Sequence, residues 1–218
     1  MRVGRLWGYL GESGKVVIES LYPLVSDFSE GLAWVLLPRQ ANENVSSGFI
    51  DLKGRPAIPA DAWMPRLPGL ADFSEGLIAM DGLGGYGYID HKGAWVIEPQ
   101  FDDALAFTEG LAAVRTGPMH GYIDSTGRFV ISPQYRDIPA QNLYRSAAFP
   151  FSEGLAAVEV GGTWGDGKWG FIDKTGTMAI EARFAPRSRF RGGLAHVQVD
   201  GKEAYIDAGG TIVYQASE

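Results

Sequence analysis

Apolar residues in this chain fall into short runs divided by Gly, Asp and Pro, and the runs recur in a fixed order. The first is Leu-Ala-x-Val or a variant of it, at Leu32 to Val35, Leu77 to Met80, Leu111 to Val114, Leu155 to Val158 and Leu194 to Val197. Four of these follow Phe-Ser/Thr-Glu-Gly, and the last follows Phe190-Arg191-Gly192-Gly193. The second run centres on aromatic-Gly-aromatic-Ile-Asp. It is clearest at Lys168-Trp169-Gly170-Phe171-Ile172-Asp173 and returns around Gly8, Gly48, Gly87 and Gly121, with Ala204 in the sixth place. The third run closes each copy: Val16-Val17-Ile18, Ala57-Ile58, Trp95-Val96-Ile97, Phe129-Val130-Ile131, Met178-Ala179-Ile180 and Ile212-Val213-Tyr214. Such short segments, rich in Val, Ile and aromatics and fenced by Gly and Pro, predict strands. No stretch keeps a helical apolar period for three turns.

Successive copies lie about 40 residues apart, in the range of repeat architectures. Between the second and third runs stands Asp-x-x-Gly. Asp opens a tight turn by accepting from backbone amides, and Gly closes it at positive φ. Each copy is therefore a three-stranded antiparallel meander. In Leu111-Ala112-Ala113-Val114, alternate residues point to opposite faces and all four are apolar. A sheet that is apolar on both faces needs a cover on both, and the neighbouring copies are the obvious covers.

The expected fold is all-β: about six such meanders stacked face to face in one domain covering 1–218. The units run 1–27, 28–72, 73–106, 107–150, 151–189 and 190–218, the first lacking its leading strand. An open twisted array needs no closing register. The alternative is a closed ring like a β-propeller, with the links Phe101 to Phe107 and Tyr135 to Phe149 donating a fourth strand per blade. The last unit reads as a cap, because Arg191, His196 and Glu203 replace small or apolar residues there.

These motifs resemble the WG-repeat family, which is named for its Trp-Gly dipeptide and is frequent in bacteria. The resemblance runs from Trp7 to about Tyr214. The dipeptide itself survives only at Trp7-Gly8 and Trp169-Gly170; Ser47, Tyr86 and His120 precede the other Gly residues, and Glu203-Ala204 replaces both positions. The resemblance implies a β-repeat protein with a binding role and supplies no catalytic residue to carry over.

Composition narrows the partners. The net charge is −7 with no compensating Lys/Arg cluster, so a nucleic-acid partner is not expected. There is no Cys, which removes disulfides, thiolate nucleophiles and Cys-bound zinc. The opening Met1-Arg2-Val3-Gly4-Arg5-Leu6-Trp7 lacks an apolar signal core, and no run is long enough to span a bilayer, so a cytoplasmic protein without membrane contact is expected.

The recurring polar residues fit structural roles. Asp51, Asp90, Asp124, Asp173 and Asp207 supply one carboxylate per turn, whereas a calcium loop needs several oxygens. Glu30, Glu75, Glu109 and Glu153 stand at strand entrances, where hydrogen bonds to loop amides suit a residue needed in every copy better than catalysis does. His91, His120 and His196 occupy unrelated places: His91 reads as a solvated turn residue and His120 as packing in the Trp place. Gly84-Gly85 reads as a hairpin turn rather than a phosphate loop. Four insertions break the pattern: Pro38 to Ser47, Asp61 to Leu70, Arg136 to Ala148 and Gly161 to Gly167. They carry Trp63, Met64, Arg66, Tyr144, Arg145 and Trp164, residue types favoured as interface anchors. The expected function is a non-enzymatic module, without metal or cofactor, that binds a protein or peptide through these loops. The alternative is a small-ligand or carbohydrate binder using an exposed Trp.

Overall fold

The computed structural model describes residues 1–38, 47–58, 72–136, 148–161, 167–185 and 189–217. Among these there is no helix, so none is long and apolar enough to cross a membrane. The strands form six antiparallel sheets in chain order. The first holds β1 (Arg2–Val3), β2 (Leu6–Leu10) and β3 (Val16–Tyr22). The second holds β4 (Leu24–Val25), β5 (Leu32–Leu36), β6 (Ser47–Asp51) and β7 (Pro56–Ile58). The third holds β8 (Ile78–Gly82), β9 (Gly85–Ile89) and β10 (Trp95–Phe101). The fourth holds β11 (Asp103–Ala104), β12 (Ala112–Thr116), β13 (Met119–Ile123) and β14 (Phe129–Arg136). The fifth holds β15 (Ala156–Val160), β16 (Lys168–Ile172) and β17 (Met178–Phe184), and the sixth β18 (Leu194–Val199), β19 (Lys202–Asp207) and β20 (Ile212–Gln215).

The meander is as the sequence predicts, with two differences. The first unit does have a leading strand, the two-residue β1, which folds back on β2 through Gly4 at φ 62°. The link before Phe107 donates a fourth strand, β11, whose partner is β12, and β4 does the same for β5.

The chain divides into two units, Met1–Gln100 and Phe101–Glu218. Inside each, sheets pack face to face. In the first unit Ile18 and Tyr22 meet Ala33, Val35 and Ile50 of the next sheet, and Trp34, Phe49 and Ile58 meet Phe73, Ile78, Met80 and Ile89. In the second, Leu111, Ala113, Tyr122 and Ile131 pack on Phe151, Ala156, Val158 and Ile172, and Trp169, Phe171 and Ile180 on Phe190, Ala195, Val197 and Ile206. The middle sheet of each unit, the second and the fifth, thus turns an aromatic-and-Ile face toward the next sheet and an Ala-Val-Ile face toward the previous one. Ala156 and Ala157 of the fifth sheet are both buried, one in the core on each side, as double cover requires.

Two glycines per unit have physical causes. The Gly after the Trp place sits opposite a bulge. His120 pairs with Tyr135 and Tyr122 with Ile131, so Gly121 faces Ser132, Pro133 and Gln134. A Cβ on Gly121 or Gly170 would come within 2.6 Å of the facing Ile carbonyl oxygen. In the last sheet Ala204 holds this place, and there Ala204 and Tyr205 pair with the consecutive residues Gln215 and Tyr214, with no bulge between them. The second Gly closes Asp-x-x-Gly at positive φ and lies against the preceding sheet. A Cβ at Gly176 would stand 3.1 Å from Ile131, and at Gly54 3.3 Å from Ile18.

Replacing Gly121 by Ala should destabilise the protein by about 1–3 kcal/mol or more, because backbone rather than a side chain must move. The reverse change, Ala204→Gly, meets no such crowding and should cost at most about 1 kcal/mol. Chemical denaturation of both variants checks this; equal losses would mean that the bulge does not select glycine.

Candidate functional site

The repeated carboxylates are occupied by the fold. Asp51, Asp90, Asp124, Asp173 and Asp207 each accept, through Oδ1, from the amides two and four residues on, at 2.8 to 3.1 Å. The Arg55 guanidinium, followed by the Arg55 and Lys53 amides, holds Asp51 at about 2. The Thr126 and Thr175 hydroxyls lead the same lowering at Asp124 and Asp173. Among the described residues no group of three or more His, Asp or Glu could hold a metal ion.

The repeated Glu residues link sheets. Glu30, Glu109 and Glu153 sit at φ 50° to 56°, a left-handed backbone that L-residues avoid. Their carboxylates reach the equivalent turn of the following sheet: Glu30 accepts from Gly76 N and Glu109 from Gly154 N, each at 3.0 Å. Glu153 accepts from Gly192 and Gly193 at 2.5 and 2.8 Å. Ser29 and Ser152 donate beside them to the Phe73 and Phe190 carbonyls. Lys174 lies 3.2 Å from Glu109, and His91 takes the same place 3.1 Å from Glu30. His91 also stacks on Phe73 at 4.5 Å, so it is a packed residue rather than the free turn residue expected. His120 is buried in the Trp place, as expected.

The last sheet differs. Ala195, Val197, Ala204 and Ile206 pack back on the fifth sheet. Its other face carries Leu194, His196, Tyr205 and Tyr214. By register these match Leu111, Ala113, Tyr122 and Ile131. Tyr122 and Ile131 are 0% and 3% exposed; Tyr205 and Tyr214 are 41% and 58% exposed. Tyr205 stands between His196, stacked at 5.0 Å, and Tyr214 at 6.2 Å, forming an aromatic ladder across three strands. Glu203 lies 2.5 Å from His196 Nε2. The substitutions at 191, 196 and 203 marked this unit as a cap in the sequence, but the tyrosines passed as ordinary strand residues. The readable signal was Tyr214 where inner units carry Ile.

A cavity of about 450 Å³ lies in the first unit, lined by Trp7, Tyr9, Leu24, Ser26, Asp27 and Asp72 among others. Burial, then the charge of Asp27, pushes the Asp72 carboxyl up. Trp7 also carries the Arg2 guanidinium 5.5 Å from its ring. The sequence-derived candidates Trp63, Met64, Arg66, Tyr144, Arg145 and Trp164 all lie outside the described residues.

A family model described as WG containing repeat matches residues 7–37, 86–117, 121–142, 143–164 and 169–202, well over half of the chain. No curated protein matches. Among solved structures, one described as the crystal structure of the eukaryotic initiation factor aligns with a TM-score of 0.55 at 11% identity, over 94% of this chain and 59% of that one. This chain therefore spans less than two thirds of that structure, and the likeness is one of fold. A second, the crystal structure of the tricorn protease, aligns at TM-score 0.30 and 15% identity over 96% of this chain and 23% of that one.

Glu109→Ala should lower stability by about 1–3 kcal/mol, since it keeps the strained φ and loses the bonds across the interface. Glu109→Gly relieves the φ and should lose less. Equal losses, measured by denaturant titration, would show that the carboxylate link contributes alone.

Acid should weaken the same contacts. Burial raises the Glu109 carboxyl, but the Gly154 amide, Lys174 and the Glu153 amide outweigh it and hold it below its ordinary value; Asp51, Asp90, Asp124 and Asp173 are also lowered. A depressed carboxylate stabilises fully above its unfolded value and loses that contribution as pH falls through the folded one. The melting temperature should therefore hold steady above about pH 5 and fall below about pH 4. A melting temperature that rises between those values on acidification would contradict the assignment.

Proposed function

We propose, since the chain belongs to the WG containing repeat family, that it is a non-enzymatic binding module whose partner is a protein or peptide. One observation carries the reading: the face that every inner sheet within a unit uses for packing is exposed and aromatic on the last sheet. Isolated exposed apolar residues are ordinary, but a contiguous ladder of His196, Tyr205 and Tyr214 with Leu194 beside it suits an interaction surface. Tyr is among the residues that anchor interfaces, because it covers much area with few rotors. The carboxylates that could have served hydrolysis are held in turns and interface links, which favours binding over catalysis. The inserted loops with Trp63, Tyr144 and Trp164 are further candidate anchors for the same partner. A second reading, a small ligand or sugar, is favoured by the Trp7 and Tyr9 cavity with its two carboxylates.

Panning a peptide-display library against the full chain and against a Tyr205→Arg/Tyr214→Arg variant decides between these. Both changes are at exposed positions, so the variant should keep its melting temperature. Sequences enriched on the parent should be lost on the variant. Equal enrichment on both proteins would move the site to the loops, where Ala at Trp63, Tyr144 and Trp164 should then abolish it. A glycan array that binds the parent but not a Trp7→Ala variant would favour the second reading.

A further inference from the structure

The interfaces within each unit show what such a face accepts. At two of them the face presents a tyrosine in the Tyr205 position. The Tyr9 hydroxyl donates to the Ser26 carbonyl at 2.9 Å, and the Tyr122 hydroxyl to the Phe149 carbonyl at 2.8 Å. In both cases the acceptor lies two residues before a Phe whose ring packs on that same tyrosine: Phe28 on Tyr9 at 4.6 Å and Phe151 on Tyr122 at 4.9 Å. The incoming segment is extended. Its Ser26 and Phe149 amides donate to the Trp34 and Ala157 carbonyls of their own sheets, which leaves the Ser26 and Phe149 carbonyls for tyrosine. Where the face carries Phe instead, at Phe49 and Phe171, the ring contact remains, to Phe73 at 5.3 Å and Phe190 at 4.9 Å. Tyrosine thus reads two features together: a backbone carbonyl and an aromatic ring two residues later.

Tyr205 repeats this position, opposite His196 as Tyr122 is opposite Ala113. We propose that the outer face of the last sheet binds an extended segment of another protein. In that segment an aromatic residue stands two positions after the carbonyl that accepts the Tyr205 hydroxyl. This rests on the reading of the face as a binding surface. A folded repeat fits the face poorly. The Ser152 and Glu153 that reach across to the Phe190 carbonyl and the Gly192 and Gly193 amides are replaced in the last sheet by Arg191 and Gly192. His196 also fills space that Ala113 leaves to the next sheet. What remains is a tyrosine flanked by His196 and Tyr214, which suits one strand with one ring rather than a whole sheet.

The probe is a capped, dye-labelled hexapeptide, Leu-Val-Ser-Asp-Phe-Ser, the sequence of residues 24–29, titrated into the full chain by fluorescence anisotropy. Saturable binding is expected. Replacing its Phe by Ala should weaken binding about tenfold, and Tyr205→Phe in the protein about fivefold through the lost hydroxyl. Tyr205→Arg, with an unchanged melting temperature, should abolish it. Binding indifferent to the peptide Phe, or to Tyr205→Phe, overturns the proposal. If the hexapeptide fails while display still yields face-dependent sequences without the aromatic, this inference falls and the binding-module reading stands; if display also yields nothing that depends on the face, both fall. Self-association that Tyr205→Arg removes would mean that a second copy covers the face, and would overturn the proposal as well.

Discussion

Each inner sheet in this protein has two apolar faces, and no three-stranded sheet of that kind is stable in water by itself. That constraint organises the chain. Ala and Val on the backward face keep that side shallow, so the aromatic-and-Ile face of the sheet before can seat against it. The Phe of Phe-Ser/Thr-Glu-Gly then closes the side of the contact by packing on the central aromatic, as Phe151 does on Tyr122. Residues that look like decorations of one strand are therefore parts of an interface between two sheets.

The polar residues of the repeat follow the same rule. Asp124 holds its own turn, but Gly176 of the equivalent turn in the next sheet rests on Ile131, so turn and core are set by one geometry. Glu109 spans the sheet junction to the Gly154 amide, and Lys174 meets it there. Recurrence of the glutamate at Glu30, Glu109 and Glu153 thus reflects recurrence of a junction.

Strands, turn chemistry and double burial were legible because each depends on residues close in sequence: the period-2 pattern at Leu111 to Val114, or Asp and Gly three apart. The Glu residues were read as ligands of loop amides, which is what they are, but the amides that Glu30 and Glu109 reach belong to turns 46 and 45 residues away and no local pattern marks that. The bulge opposite Gly121 was hidden because it lies in β14, a property of the partner strand. His91 was misread because its environment, Phe73 and Glu30, comes from two other places in the chain. The exposure of Tyr205 and Tyr214 was invisible for a simpler reason: in sequence they look like any covered strand residue, and only the stacking order says that these two face outward.

The last sheet differs from the others in the residue it places at the left-handed position. Glu30, Glu109 and Glu153 occupy a left-handed conformation that costs on the order of 1 kcal/mol for a residue with a Cβ. Each offsets that cost by accepting amides of the following sheet. In the last sheet the same place is Gly192, at φ 63°, which takes the conformation without a side chain to strain. Glutamate is thus present at the junctions where its carboxylate has a neighbouring turn to hold, and glycine stands where that link has been given up. The exposed tyrosine ladder therefore lacks the link residues of the other junctions. Its link residues have been replaced while its central tyrosine has been kept, and that combination suits an occupant that is held by a ring and a carbonyl and does not supply a turn of its own.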